Sequence, residues 1–348
     1  MEHLIIMAGG VGSRFWPMST PERPKQFIDV LGTGNTLLQD TVYRFGHIVR
    51  DENIWVVTSR HYYDLVKKQL PFLDNNHILL EPCRRNTAPC IAYATWKIKK
   101  YDPEASLIIA PADHNMTDVE EFRRVIQEGV KFVKANKGIL TLGITPSHPE
   151  TGYGYIQSGK ALEEEKICKV KAFKEKPDYA TASVYLREGG YYWNSGIFLV
   201  KACTMEQALR QNLPEMAKLF DNLDSVFYTA AEQDAIDRSF PSCPNISIDY
   251  AVMEQADNIY VYPASFGWSD LGTWGALYEQ AEKDAAGNAL VAGNVKMIES
   301  TGCIVHVPAG KKIVVQGLQD YIIAEENGVL LICRKTDEQR IKDFSELF

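Results

Sequence analysis

Leu4-Ile5-Ile6-Met7 runs without interruption into Ala8-Gly9-Gly10-Val11-Gly12-Ser13-Arg14. Four consecutive apolar residues suit a strand that is covered on both faces. The glycines that follow let the backbone turn tightly with its N–H groups converging, which makes a nest for anionic oxygens. Arg14 adds a planar guanidinium suited to bidentate phosphate contact. The stretch predicts a first buried strand that ends in an anion-binding loop. A tight strand-to-helix turn without a ligand would use the same residues. The loop is neither of the two commonest nucleotide loops. Phe15 stands where the third glycine of G-x-G-x-x-G would be, and no G-K-[ST] ending is present.

Working outward, Ile54–Val57, Ile78–Leu80, Leu107–Ile109 and Ile139–Leu142 repeat the continuous apolar character. Amphipathic stretches separate them. After Thr117, the residues Val119, Phe122, Ile126, Val130 and Val133 fall on one helical stripe. Thr117 and Glu120 read as its capping box, and Gly138 follows its end. Strand–helix alternation of this kind predicts a doubly wound α/β domain, whose ligands bind beyond the carboxyl ends of the strands. From about 160 to 270 the pattern mixes strands near 197–200 and 259–263 with helices near 204–219 and 228–238. Beyond about 285, Gly and Asn punctuate short β-rich runs, and a charged helix over 337–347 closes the chain. The expected division is a catalytic domain over 1–285 and a small β domain over 286–348. Helix 273–284 and the following Asp284–Asn288 form the junction.

With 348 residues the chain can bury a large core, and its net charge of −8 argues against a dedicated nucleic-acid surface. Seven cysteines without a C-x-x-C pair give neither a disulfide framework nor a zinc site, so reduced thiols are expected. No cationic leader precedes an apolar run, and no stretch has the length of a membrane span. A cytoplasmic protein with no nucleic-acid or membrane partner is expected.

The loop continues through Phe15-Trp16-Pro17, and Lys25 follows in Pro24-Lys25-Gln26-Phe27. A lysine ammonium beside an α-phosphate would neutralise charge that builds up during in-line substitution. The full string G-G-x-G-x-R-F-W-P-x-S…P-K-Q-F resembles the signature of the sugar-phosphate nucleotidyltransferases, most closely the mannose-1-phosphate guanylyltransferases. The resemblance implies a Rossmann-like (GT-A type) mixed, mainly parallel sheet with a small C-terminal left-handed parallel β-helix. It implies catalytic roles for Arg14 and Lys25, with Ala8, Gly9, Gly10, Gly12 and Ser13 holding the nucleotide. Glu81-Pro82-Cys83-Arg84-Arg85-Asn86-Thr87-Ala88-Pro89 matches the segment given to base and ribose in the guanylyl branch. By the same resemblance Glu81, Asn86, Thr87 and Ala88 would contact the nucleotide, and Asn86-Thr87 would also cap a helix beginning near Ala88.

Asp113, in Ala110-Pro111-Ala112-Asp113-His114, lies at a strand end and suits Mg²⁺, which takes oxygen ligands and nucleotide phosphates. The resemblance supplies Asp270, in Trp268-Ser269-Asp270-Leu271-Gly272, as the second metal ligand; read alone, Asp270 would be a helix cap. Thr151-Gly152-Tyr153-Gly154-Tyr155, Phe173-Lys174-Glu175-Lys176-Pro177, Trp193-Asn194-Ser195-Gly196 and Ser247-Ile248-Asp249-Tyr250 match blocks that face the sugar phosphate. By resemblance, Gly154, Glu175, Lys176, Asn194 and Asp249 hold that substrate. Glu175 and Lys176 are neighbours, so on an extended strand over 170–176 they would point to opposite faces. At least one must therefore lie where the strand ends.

The implied reaction joins GTP to α-D-mannose 1-phosphate with Mg²⁺, in a homodimer or other homo-oligomer. Longer family members carry a fused phosphomannose isomerase domain; the end at Phe348 implies no isomerase activity. The same chemistry with UTP or dTTP, or with a glucose, heptose or fucose phosphate, is the nearest competitor. A non-catalytic nucleotide-sugar sensor and an NAD-dependent enzyme are more distant ones.

Overall fold

The computed structural model describes residues 1–162, 166–174, 176–308 and 310–347. They form two compact units. The first holds Met1–Gly9, Arg44–Pro111 and Met116–Trp268; the second holds Gly10–Tyr43, Ala112–Asn115 and Ser269–Phe348.

The first unit is built on nine strands: β1 (Glu2–Met7), β2 (Ile54–Ser59), β3 (Ile78–Glu81), β4 (Ser106–Pro111), β5 (Ile139–Ile144), β6 (Tyr155–Ala161), β7 (Cys168–Lys174), β8 (Tyr191–Lys201) and β9 (Ile259–Ala264). Their order is β3-β2-β1-β4-β8-β5-β9-β7-β6. The apolar runs of β1 to β4 pair in parallel, as their two-sided burial requires. β8 then enters antiparallel to both β4 and β5, and β6 and β7 are antiparallel too. The sheet is therefore mixed, and parallel pairing dominates only its first half. β7 and the first half of β8 carry alternating burial, which an antiparallel sheet tolerates.

One face of this sheet is covered by helix Thr87–Tyr101 and by the pair Ala202–Asn212 and Pro214–Leu223. Ile5, Val57, Leu79, Ile91, Ile109, Val200, Leu209 and Phe220 share its core. The expected single helix over 204–219 is broken at Leu213, because Pro214 lacks the N–H that would continue it and instead opens the next helix. Helix Val119–Ala135 buries the predicted stripe, but its cap is Asp118, whose side chain accepts from the Glu121 N–H. Thr117 is held one residue outside, its N–H bonded to the Gly267 carbonyl.

In the second unit, Ala289–Ala292, Ile304–His306 and Tyr321–Glu326 pair in parallel, and Asn294–Ile298 pairs in parallel with Lys312–Gln316. The chain alternates between these two sheets, with Cys303, Val305, Val307, Val315 and Ile323 buried together. Val329–Arg334 closes the run antiparallel to Tyr321–Glu326. The expected helix over 273–284 is the shorter Trp274–Gln280, capped by the Thr273 side chain. The closing segment is a 3₁₀ turn over Lys335–Arg340 followed by a short α-helix over Ile341–Ser345. Phe15, Met18, Ile28 and Val30 pack with Leu271, Trp274, Ile304 and Ile322. The glycine loop beyond Gly9 is thus anchored on the C-terminal β segment.

Candidate active site

In the second unit the loop turns at Gly12, with φ 63°, into a 3₁₀ turn over Ser13–Phe15. Glycine is required there twice over. The backbone is left-handed, and an added Cβ would stand 2.9 Å from both Lys25 Cγ and Ser19 Oγ. Side chains from the same unit hold the loop by its carbonyls. Ser19 Oγ donates to Val11 O at 2.9 Å, and Gln26 Nε2 donates to Gly10 O at 2.9 Å. Phe15 is buried against Trp274, whereas Arg14 beside it is exposed.

Lys25 is only 6 % exposed. Its ammonium donates to Asp270 O at 2.8 Å and Leu271 O at 2.9 Å, and it pairs with Asp113 Oδ2 at 3.0 Å. An ammonium has three donors, so these three oxygens occupy all of them. Both carbonyls are presented by a turn in which Leu271 has φ 45°, a conformation costing a non-glycine residue about 1–3 kcal/mol. The buried Leu271 side chain explains why glycine does not stand there. Asp270 Oδ1 accepts from the Gly272 N–H at 2.7 Å, and Thr273, not Asp270, caps the next helix. Burial alone would raise the Asp113 carboxyl, but Lys25 and His114 outweigh it and hold it below its ordinary value.

Lys25 thereby joins two segments far apart in sequence, Asp113 and the Asp270–Leu271 turn. Among the described residues no group of three or more His, Cys, Asp and Glu side chains converges as a metal cage. The donor set nevertheless suits a hard cation, because oxygens already surround a positive charge there. Mg²⁺ characteristically takes one or two carboxylates and completes its shell with phosphate oxygens and water. Asp113 supplies one such carboxylate, whereas Asp270 meets Lys25 through its carbonyl and turns its carboxylate to the Gly272 N–H.

In the first unit, Ala8 ends the first strand's run with its N–H on Val57 O and its carbonyl accepting from Thr58 Oγ1, both at 2.8 Å. A Cβ added to Gly9 would stand 3.5 Å from Glu81 Oε2. Glu81, at the end of β3, is buried; its Oε1 has no hydrogen-bond partner within the described residues. Burial pushes its carboxyl up to about 8. The capping expectation for the neighbouring segment holds. Asn86 precedes helix Thr87–Tyr101, and its side chain accepts from the Thr87 N–H at 2.9 Å. Thr87 Oγ1 accepts from Ile248 N at 2.8 Å, and Ala88 N donates to Ile246 O at 3.1 Å. These bonds carry the base segment to the Ser247–Tyr250 block.

The sugar-facing blocks also meet in this unit. Asn194 N donates to Gly154 O at 2.8 Å, and Asn194 Nδ2 donates to Asp249 Oδ1 at 2.7 Å. Glu175 lies outside the described residues. β7 ends at Lys174, and the exposed Lys176 follows with φ 40°, beyond the strand as the neighbouring-residue argument requires. Sequence reasoning assigned no role to the rings beside Asn194. Tyr153 lies 5.3 Å from Trp193 and 5.0 Å from Trp268, both edge-on, and His148 lies 4.9 Å from Trp193. Tyr153 and Trp193 adjoin Gly154 and Asn194 in the quoted motifs, which was the available signal; Trp268 stands in the separate Asp270 motif.

A family model described as nucleotidyl transferase matches residues 3–287. The chain is 38% identical to a mannose-1-phosphate guanylyltransferase of Salmonella montevideo, over 98% of this chain and 73% of that protein. It is 34% identical to a mannose-1-phosphate guanylyltransferase of Escherichia coli, over 97% of this chain and 74% of that one. A solved structure from Thermus thermophilus, described as a mannose-1-phosphate geranyltransferase, superposes with TM-score 0.90 at 30% identity, over 99% of this chain and 98% of that chain.

Proposed function

The chain belongs to the nucleotidyl transferase family, and from that premise we propose that its residues join GTP to α-D-mannose 1-phosphate, giving GDP-mannose and pyrophosphate. A sugar-phosphate oxygen, already anionic near neutral pH, forms a bond to the α-phosphorus. The bond from that phosphorus to the bridging oxygen breaks, and its electron pair leaves on pyrophosphate. The nucleophile is ionised at the outset, so positioning and electrostatics do the work.

The Gly10, Gly12 and Ser13 amides and the exposed Arg14 receive the triphosphate. Asp113 and Asp270 hold Mg²⁺, which supplies charge neutralisation on the phosphate oxygens when bound. Lys25 balances the charge that develops at the α-phosphate. Ala8, Gly9, Glu81, Asn86, Thr87 and Ala88 receive base and ribose. Guanine presents two adjacent donors, its ring N–H and its amino group, and an ionised carboxylate accepts both. Glu81 therefore gives up its proton when the base binds. Gly154, Glu175, Lys176, Asn194 and Asp249 receive mannose 1-phosphate, and the Tyr153–Trp193 edge offers apolar surface to the sugar ring.

The alternating parallel strands of the C-terminal segment support reading it as a short left-handed β-helix. The expected homodimer or other homo-oligomer is checked by light scattering on the purified protein. The observation that carries the catalytic reading is the buried Lys25 between Asp113 and the Asp270–Leu271 turn beside the glycine loop. The test is pyrophosphate release from each nucleoside triphosphate against a panel of sugar 1-phosphates, with and without Mg²⁺. GTP with mannose 1-phosphate gives the highest kcat/KM. Release no faster than with UTP and glucose 1-phosphate would overturn the assignment.

A further inference from the structure

We infer that Lys25 is a built-in counter-cation of the divalent-metal position, so that Mg²⁺ enters with the nucleotide and not before it. The inference rests on reading Asp113 and Asp270 as metal ligands. Asp113 Oδ2 already faces the Lys25 ammonium at 3.0 Å, and Asp113 Oδ1 lies 3.9 Å from His114 Nε2. A cation approaching Asp113 alone meets that resident positive charge at close range, in a site where Lys25 is almost fully buried and water screens little. The described residues offer no third His, Cys, Asp or Glu ligand to offset the repulsion. Only an arriving triphosphate brings both the missing oxygens and the negative charge that makes room for a second cation.

The same geometry states what Lys25 must do next. Its donors are held by Asp113, Asp270 O and Leu271 O, so reaching a phosphate requires it to exchange at least one of them. Asp113 is the partner that gains a replacement when Mg²⁺ binds. The carbonyls of the Asp270–Leu271 turn gain none, so Lys25 pivots on them. Binding of the metal–nucleotide complex thereby releases the lysine toward the phosphate it neutralises. Metal entry and the positioning of Lys25 become one event.

Mn²⁺ serves as the probe, its binding followed by the loss of the free-ion electron paramagnetic resonance signal. Without nucleotide, Lys25→Met binds Mn²⁺ at least about tenfold more tightly than the wild-type chain, because a charge at contact distance is gone. Asp113→Asn added to Lys25→Met removes the gain. If Lys25→Met and wild type bind equally while Asp113→Asn binds worse than both, the counter-cation role is overturned and the metal reading stands. If Asp113→Asn changes nothing in any background, the metal reading falls and takes this inference with it. A measurement on the unaltered chain guards against misfolding of the variants. The ¹⁵N resonance of the Lys25 ammonium shifts when Mg²⁺ and a non-hydrolysable GTP analogue are added together, and not when Mg²⁺ is added alone. A full shift with Mg²⁺ alone would overturn the order of events.

Discussion

Two carboxyls, the half-buried Asp113 and the buried Glu81, lie in separate compact units and meet opposite electrostatic fates. Asp113 faces the Lys25 ammonium, and its carboxyl is held below its ordinary value despite burial. Glu81 has no ion-pair partner among the described residues, leaves one oxygen without a hydrogen bond, and keeps its proton up to about pH 8. Burial alone therefore does not decide the charge of a carboxyl; a counter-charge within contact distance does. The contrast suits the two proposed tasks. A metal ligand must be anionic in advance, whereas a base-reading carboxyl can wait for its ligand.

Breaking the paired side gives the largest effect. Asp113→Asn loses about a thousandfold in kcat at saturating substrate and Mg²⁺. Its thermal midpoint also drops, because Lys25 stays buried without its counter-charge. Turnover and a melting curve on the same sample check both parts.

The unpaired side is sharpened by pH. Folding raises Glu81 from 4.5 to about 8. Between those values the folded protein holds a proton that the unfolded chain has lost, so its stability falls as pH rises through that window. Glu81→Gln cannot ionise and escapes the loss. Its stability relative to wild type grows across the window by a few kcal/mol, measured by urea unfolding at several pH values. Asp113 has the opposite sign. Its contribution is present above 3.8 and disappears as pH falls below that value.

Gly12→Ala tests the loop that borders Lys25. It forces a Cβ into a left-handed position within 2.9 Å of Lys25 Cγ and Ser19 Oγ. A loss of about 1–3 kcal/mol is expected, read as a lower denaturant midpoint. The smallest effect is at the other unit's cap. Asn86→Ala removes the bond to the Thr87 N–H and costs about 1 kcal/mol.

Local chemistry made much of this legible in advance. The five apolar runs are strands, because a buried parallel strand needs a continuous apolar surface. Asn86 is a cap, because its side chain needs only the next residues to find a partner. The reading slipped where two local signals competed, at Thr117 and Asp118, and where Pro214 was given too little weight against an apolar stripe. Lys25, Asp113 and the Asp270–Leu271 turn could not be joined by spacing, since their contacts span up to 246 positions. The left-handed Leu271 was likewise invisible, because a leucine in sequence signals a core side chain and says nothing of where its carbonyl points. The antiparallel entry of β8 also depends on long-range pairing that apolar runs do not encode.

The central contrast can be observed directly by ¹³C titration of the side-chain carboxyls in nucleotide-free protein, with the signals assigned from Glu81→Gln and Asp113→Asn. The account predicts an Asp113 carboxyl that titrates below the ordinary range and a Glu81 carboxyl that titrates near pH 8. Both signals titrating together near pH 4 would contradict it.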